Sequence, residues 1–272
     1  MINENKIHGA IAILDILGFS SRMEKLDIDK IRDLIIGETI TNCIVSMDYC
    51  QHEYQWDKNA PKLNWLFFAD SLIIYLPISK DSILNTPQIL IESLSLCCGI
   101  LLASCFYKNI SLRGAISYGE FLISNDPLYV IGKPLSEARE LETIQEWAGV
   151  SITENASKLI DDLEATKPFI VDSLVPLKDS KQKNMFCVNW PLFIAGAYND
   201  VSVGLNRPLP DWELCFDSKS NSVNLKKENT IYFFYANKLS GSPPVLIDNN
   251  LSKNIGNWYD FYRIHKHKIN SI

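Results

Sequence analysis

The 272-residue sequence predicts a mixed fold of the α/β (α+β) class. It reads as a ferredoxin-like split βαβ core with a mixed, mainly antiparallel sheet, followed by a C-terminal α/β elaboration. Three observations predict this. Short apolar runs at 9–17, 64–77 and 110–119 have the length and residue types of buried strands. Longer segments, about Lys25 to Tyr49 and Thr86 to Tyr107, lie between them and read as helices. Glycine and proline stand where one kind of element gives way to the next, at Gly18, Pro77, Gly119, Gly132 and Pro134.

Taken in order, Ile11-Ala12-Ile13-Leu14 is a buried strand ending at Asp15. The helix from about Lys25 to Tyr49 carries Leu26, Ile31, Leu34, Ile35 and Ile44 on its apolar side. Residues 64–69 and 71–77 form two strands about a turn at Asp70, and Pro77 closes the second. The segment Ile89 to Phe106 is interrupted by Glu92, Ser93, Ser95 and Ser104, and reads as a buried amphipathic helix instead of a membrane span. A strand from Ile110 closes at Gly119, and Tyr129 to Gly132 leads into a helix that Pro134 opens and Gly149 stops after Trp147. Val150 to Thr153 is a short strand and Glu154 to Asp162 a short helix. Beyond about residue 165 the pattern loosens. Met185 to Asn189 and Ile231 to Tyr235 read as strands, Asp217 to Glu228 as a polar loop, and Pro243 to Ile269 as a final helix.

A net charge of −6 and a pI near 5.3 argue against broad binding to nucleic acid or anionic membranes. The basic segment Arg263 to Lys268 reads as a solvated terminus. The N-terminus has no basic stretch followed by an apolar one, and none of the seven cysteines forms a zinc-type pair, so reduced thiols in the cytoplasm are expected. Cys97 and Cys98 read as small apolar fillers, and His8 and His52 stand outside any ligand pattern.

Asp15 and Asp70 carry the chemical argument. A carboxylate in an apolar run is costly unless compensated, and two brought together call for a divalent cation. After Asp15, Gly18 lets the chain turn so that the amides of Phe19 and Ser20 can face an anion. Taken alone, this stretch reads equally well as a capped strand-to-helix junction, and Asp70 alone as an ordinary turn residue. Side by side on one sheet edge, the two acids suit Mg2+ or Mn2+ with substrate phosphates.

Four segments, in this order, resemble the signatures of class III nucleotide cyclases: Asp15-Ile16-Leu17-Gly18-Phe19-Ser20, Phe68-Ala69-Asp70-Ser71, Arg113 to Gly119, and Gly132 to Glu142. The resemblance covers roughly residues 9–155. It implies a two-metal site in which Asp15 and Asp70 hold the ions and Ile16 lends a carbonyl. It also implies attack of a ribose 3′-hydroxyl on the α-phosphate, and active sites at the interface of a homodimer. On this basis residues 1–165 are expected to be the catalytic core, and 166–272 an extension packed on it.

The departures from that pattern inform the substrate. The two purine-reading positions are Leu66 and Tyr129, and neither residue reproduces the purine-reading pair; an apolar or aromatic wall suits a smaller base. The transition-state Asn and Arg positions are Ser136 and Glu140, with Arg139 one place from the second. This combination looks like the pyrimidine cyclases of the bacterial Pycsar anti-phage systems. That resemblance implies UTP or CTP as substrate, a cyclic product read by a separate effector, and no nucleic-acid or membrane partner. For Arg113 two readings stand: contact with substrate or the facing protomer, or a structural pair with a core carboxylate.

Overall fold

In a computed structural model the described residues are 4–25, 27–33, 37, 41, 62–78, 86–126, 128–161, 169–179, 181–194, 209–216 and 221–240. Their strands form one eight-stranded sheet in the order β2-β3-β1-β4-β6-β8-β7, with β5 paired to β4 off that path. The strands are β1 (Glu4–Ile16), β2 (Asn64–Phe68), β3 (Ser71–Pro77), β4 (Leu112–Asn125), β5 (Leu128–Gly132), β6 (Val150–Ile152), β7 (Ile170–Leu177) and β8 (Lys181–Val188). The helices are α1 (Phe19–Lys25), α2 (Ile28–Ile31), α3 (Pro87–Phe106), α4 (Lys133–Ile144), α5 (Glu154–Ser157), α6 (Trp212–Cys215) and α7 (Asn221–Ser240). β3 pairs antiparallel with both β1 and β2, so β1 and β2 run parallel with β3 between them, which is the split βαβ arrangement expected from the sequence. Only the β4–β6 ladder is parallel, and the mixed, mainly antiparallel sheet of an α+β fold results.

Alternation along β1 and β4 assigns their residues to two faces. Ala10, Ala12, Leu14 and Ile16 join Leu72, Ile74 and Leu76 of β3 under α3, all of them buried. Thr86 caps α3, its hydroxyl accepting from the Ile89 amide at 3.2 Å, and Pro87 takes the first helical position. α3 is long and apolar enough to cross a membrane, yet 67% of its most apolar window is buried inside the fold. It is apolar on nearly every side, not amphipathic, because the sheet covers one side and Phe193 lies against Gly99 on another. Trp190 continues this second layer, with its ring 4.8 Å from that of Phe106.

Other expectations are corrected by the structure. β4 continues past Gly119 to Asn125, because β1 is long enough to pair with it throughout. α4 stops at Ile144, where Gln145 turns into an extended bridge to Leu177. α5 covers only Glu154–Ser157. Ile231 to Tyr235 is helical, inside α7, and so is 221–228 of the segment read as a loop. The β-branched and aromatic residues of that run mimic a strand, but Phe233 and Phe234 are buried against the Trp147 and Trp190 rings from a helix. Of the helix read from about Lys25 to Tyr49, Lys25 instead ends α1, Asp27 is non-helical and Ile28–Ile31 forms α2, while most of the remainder lies outside the described residues, as does Pro243 to Ile269.

Candidate active site

The second face of the sheet is covered by α4 and carries the charged corner. β1 ends on this face with Asp15, which is paired in register with Ser71 of β3 on one side and Arg113 of β4 on the other. Asp70 is brought to the same corner by the β2–β3 turn, where its carbonyl accepts from the Ile16 amide at 3.0 Å. Phe68 pairs with Ser71, which leaves Ala69 and Asp70 as a two-residue connection. Ala69 has φ of +56°, a left-handed conformation that an L-residue adopts at a cost of about 1–2 kcal/mol. Beyond Asp15, Gly18 turns the chain with φ of +74° and open space where a side chain would stand. Ser20 is exposed beside it, and Phe19 packs partly onto the main core.

A buried acid organises the corner. Glu142, on α4, is fully buried, and each of its two oxygens meets an arginine. Arg113 Nε donates to Glu142 Oε1 at 2.7 Å and its Nη2 lies 2.6 Å from the same oxygen. Arg139 Nη1 donates to Glu142 Oε2 at 2.9 Å. The guanidinium groups stand 3.7 Å and 3.9 Å from the Asp15 oxygens. Arg113 also donates to the Gln145 carbonyl at 3.0 Å. Gln145 itself is buried and fully engaged: its amide donates to the carbonyls of Gly114 and Leu141, and its oxygen accepts from Trp147 and Ser151. This hub ties the end of α4 to β4 and β6, so the arginine rests on a rigid support.

Electrostatically the corner keeps a surplus of negative charge. Burial pushes the Asp15 carboxyl up to about 6, helped by Glu142 and Asp70 and opposed by Arg113 and Arg139. Among the described residues no group of three or more His, Cys, Asp or Glu makes a closed metal cage. What the corner offers is two carboxylates and the strand-end carbonyl of Ile16. This hard-oxygen set fits Mg2+ or Mn2+ that draws its remaining ligands from substrate phosphates and water.

An open cleft of about 510 Å3 lies beside the corner, walled by Ile13, Phe68, Ser71, Ile73, Leu135, Ser136, Arg139 and Glu140. A larger groove of about 850 Å3 runs along the other side of α4, between it and β8, and shares only Glu140 with the cleft. We place the chemistry in the smaller cleft. Neither cavity is lined by Asp15 or Asp70 themselves, but the smaller cleft is walled by their neighbours: Ser71, paired with Asp15 and next to Asp70, and Arg139, 3.9 Å from Asp15.

The structure brings together Asp15, Ile16, Asp70 and Arg113, with Gly18, Phe19 and Ser20 directly following. It does not bring together Leu66 and Tyr129. Leu66 packs with Ile73, Tyr75 and Phe121 on the α4 face. On β5 it is Val130 that joins that cluster, while Tyr129 pairs with Ser124 and alternates to the other face. Arg113 takes the structural-pair geometry. Sequence reasoning gave no role to Glu142 or Gln145, and noted Arg139 only as standing one place from Glu140.

No protein-family model and no curated protein matches the chain. Solved structures to which it is similar include the adenylyl cyclase CyaB from P. aeruginosa, at 16% identity over 69% of this chain and 96% of that one, with a TM-score of 0.45. An adenylate/guanylate cyclase/hydrolase from Silicibacter pomeroyi aligns at 15% identity over 68% and 97%, with a TM-score of 0.43. The catalytic core of a rhodopsin-guanylyl cyclase with converted specificity, solved in complex with ATPαS, aligns at 12% identity over 68% and 97%, with a TM-score of 0.41.

Proposed function

We propose that this protein is a class III-type nucleotide cyclase that converts a pyrimidine triphosphate, UTP or CTP, to its 3′,5′-cyclic monophosphate and pyrophosphate. The observation that carries the reading is the Asp15–Asp70 corner: two acids on neighbouring strand ends, one of them raised to a pKa of about 6 chiefly by burial, beside an open cleft. When bound, Mg2+ or Mn2+ would lower the pKa of the ribose 3′-hydroxyl and offset the charge of the phosphates. Asp15, Asp70 and the Ile16 carbonyl would hold it. Gly18 and Ser20 are exposed where the chain turns into α1, and the amides of Phe19 and Ser20 would face the phosphates there. Leu66 joins the apolar cluster that also holds Ile73 and Leu135 of the cleft wall, and would offer a purine edge no side-chain hydrogen bond.

The cleft is open on its outer side, and Phe68, 71% exposed, stands on its wall, which supports a homodimer with sites closed by the facing protomer. Residues 1–165 form the catalytic core in this proposal, and 166–272 are an extension of it whose described strands β7 and β8 continue the same sheet. By the resemblance, the cyclic product is an anti-phage messenger for a separate effector in the cytoplasm. A second reading, a nucleotide-binding module without turnover, is favoured by Ser136 and Glu140 on the cleft wall, where cyclases carry the transition-state Asn and Arg. Incubation with each nucleoside triphosphate and Mn2+ separates the two. Pyrophosphate release with UTP or CTP is expected; saturable binding with no pyrophosphate would sink the enzyme reading.

A further inference from the structure

Resting on the cyclase proposal, we infer that Arg139 is the side chain that binds the phosphate chain of the substrate, and that buried Glu142 is the positioning residue that aims it. A polyanion entering the cleft meets Glu140 on its wall and approaches Asp15, which lies 3.9 Å from Arg139, so the protein must supply positive charge there. Among the described residues lining the cleft, Arg139 is the sole cation. Arg113 cannot serve. Three of its nitrogens are engaged by Glu142 and the Gln145 carbonyl, its side chain is only 11% exposed, and turning away would strand a buried carboxylate.

Arg139 is built differently. Its side chain is 48% exposed, and one nitrogen, Nη1, is anchored to Glu142 and lies 3.9 Å from Asp15. Among the described residues its Nε and Nη2 have no protein partner. A guanidinium fixed on one side and open on the other is suited to bidentate contact with phosphate oxygens. The anchor also sets direction. Glu142 is fully buried and divides its two oxygens between the arginines, so Arg113 locks the acid and the acid locks Arg139. A residue one place along the helix, Glu140, faces both the cleft and the groove beyond α4, which explains how an acid can stand on this wall without displacing the guanidinium.

The test uses the full-length protein and two readouts: calorimetric binding of inorganic tripolyphosphate with and without Mn2+, and kcat/KM for UTP and CTP. Arg139→Ala is expected to weaken tripolyphosphate binding at least tenfold and to lower kcat/KM by about 10²–10³-fold. Arg139→Lys keeps a charge on Glu142 and should retain binding within a few-fold while losing at least tenfold in kcat, because the fork is gone. Glu142→Gln should raise KM more than it lowers kcat, as expected for loss of aim. Tripolyphosphate binding by Arg139→Ala equal to wild type overturns the assignment, as does an Arg139→Lys enzyme with unchanged kcat. A wild-type protein that binds tripolyphosphate through Arg139 yet releases no pyrophosphate sinks the cyclase proposal and leaves this assignment standing. An active wild type indifferent to Arg139 does the reverse.

Discussion

The two faces of the same four strands are built to opposite ends. Under α3, Leu14, Ile74 and Leu112 are sealed from solvent and share one apolar cluster with Leu102 and Phe106 of the helix that crosses them. Under α4, one residue along each strand, Asp15, Ser71 and Arg113 stand in register, Arg113 pairs with a buried glutamate, and Ser71 lines an open cleft. The first face supplies folding energy through burial; the second holds charges whose mutual cost is tolerated because the first face holds the strands in place. A single β-strand can serve both needs because its period of two keeps Leu14 and Asp15 apart by the thickness of the sheet.

The sharpest way to break this contrast is to delete a functional acid. Asp70→Ala should lower turnover by at least about 10³-fold while the melting temperature of the metal-free protein stays within about two degrees, since the hairpin turn keeps its backbone bond to Ile16. An active Asp70→Ala protein would show that the metal assignment is wrong. Glu142→Ala comes next: it leaves two guanidiniums facing a corner without their acid, and a loss of about 3–5 kcal/mol by urea denaturation is expected. On the sealed face, Leu102→Ala should cost about 2–5 kcal/mol through a cavity, with KM and kcat unchanged at temperatures where the variant is folded.

A smaller effect has a defined sign. The folded-state pKa of Asp15, about 6, lies above its ordinary value of 3.8, so ionising it opposes folding. In the metal-free protein that penalty is absent below about pH 4, grows between pH 4 and 6, and is constant above. Asp15→Asn should therefore be more stable than wild type by about 1–2 kcal/mol at pH 8 and equal to it at acid pH, measured by denaturation in EDTA. The same proton competes with Mn2+, whose apparent affinity should fall about tenfold per unit below pH 6. Smallest is Ala69→Gly, which relieves the positive φ of the turn and should gain roughly 0.5 kcal/mol.

Much of this was legible in the amino-acid sequence, for reasons that differ by region. The hairpin at 64–77 and the strand ending in Asp15 announce themselves because apolar runs of strand length end at an acid or a proline. Both acids of the proposed metal site are therefore marked by local pattern alone. The Glu142 clamp is not, because Arg113 lies 29 residues from Glu142 and nothing local marks an α4 glutamate as buried. Tyr129 misled for a related reason. Which face a strand residue takes depends on register with β4, and one residue of phase moves it across the sheet. In α7 the run Ile231 to Tyr235 has strand composition, but tertiary contacts with Trp147 and Trp190 decide in favour of a helix.

The account stands most directly on one product analysis. The full-length protein is incubated with an equimolar mixture of ATP, GTP, CTP and UTP and Mn2+, and the products are read by mass spectrometry, with Asp70→Ala beside it. A cyclic pyrimidine monophosphate with matching pyrophosphate, absent from the variant, is the predicted result. A cyclic purine monophosphate would contradict the apolar-floor assignment of substrate, and four intact triphosphates would contradict the cyclase itself.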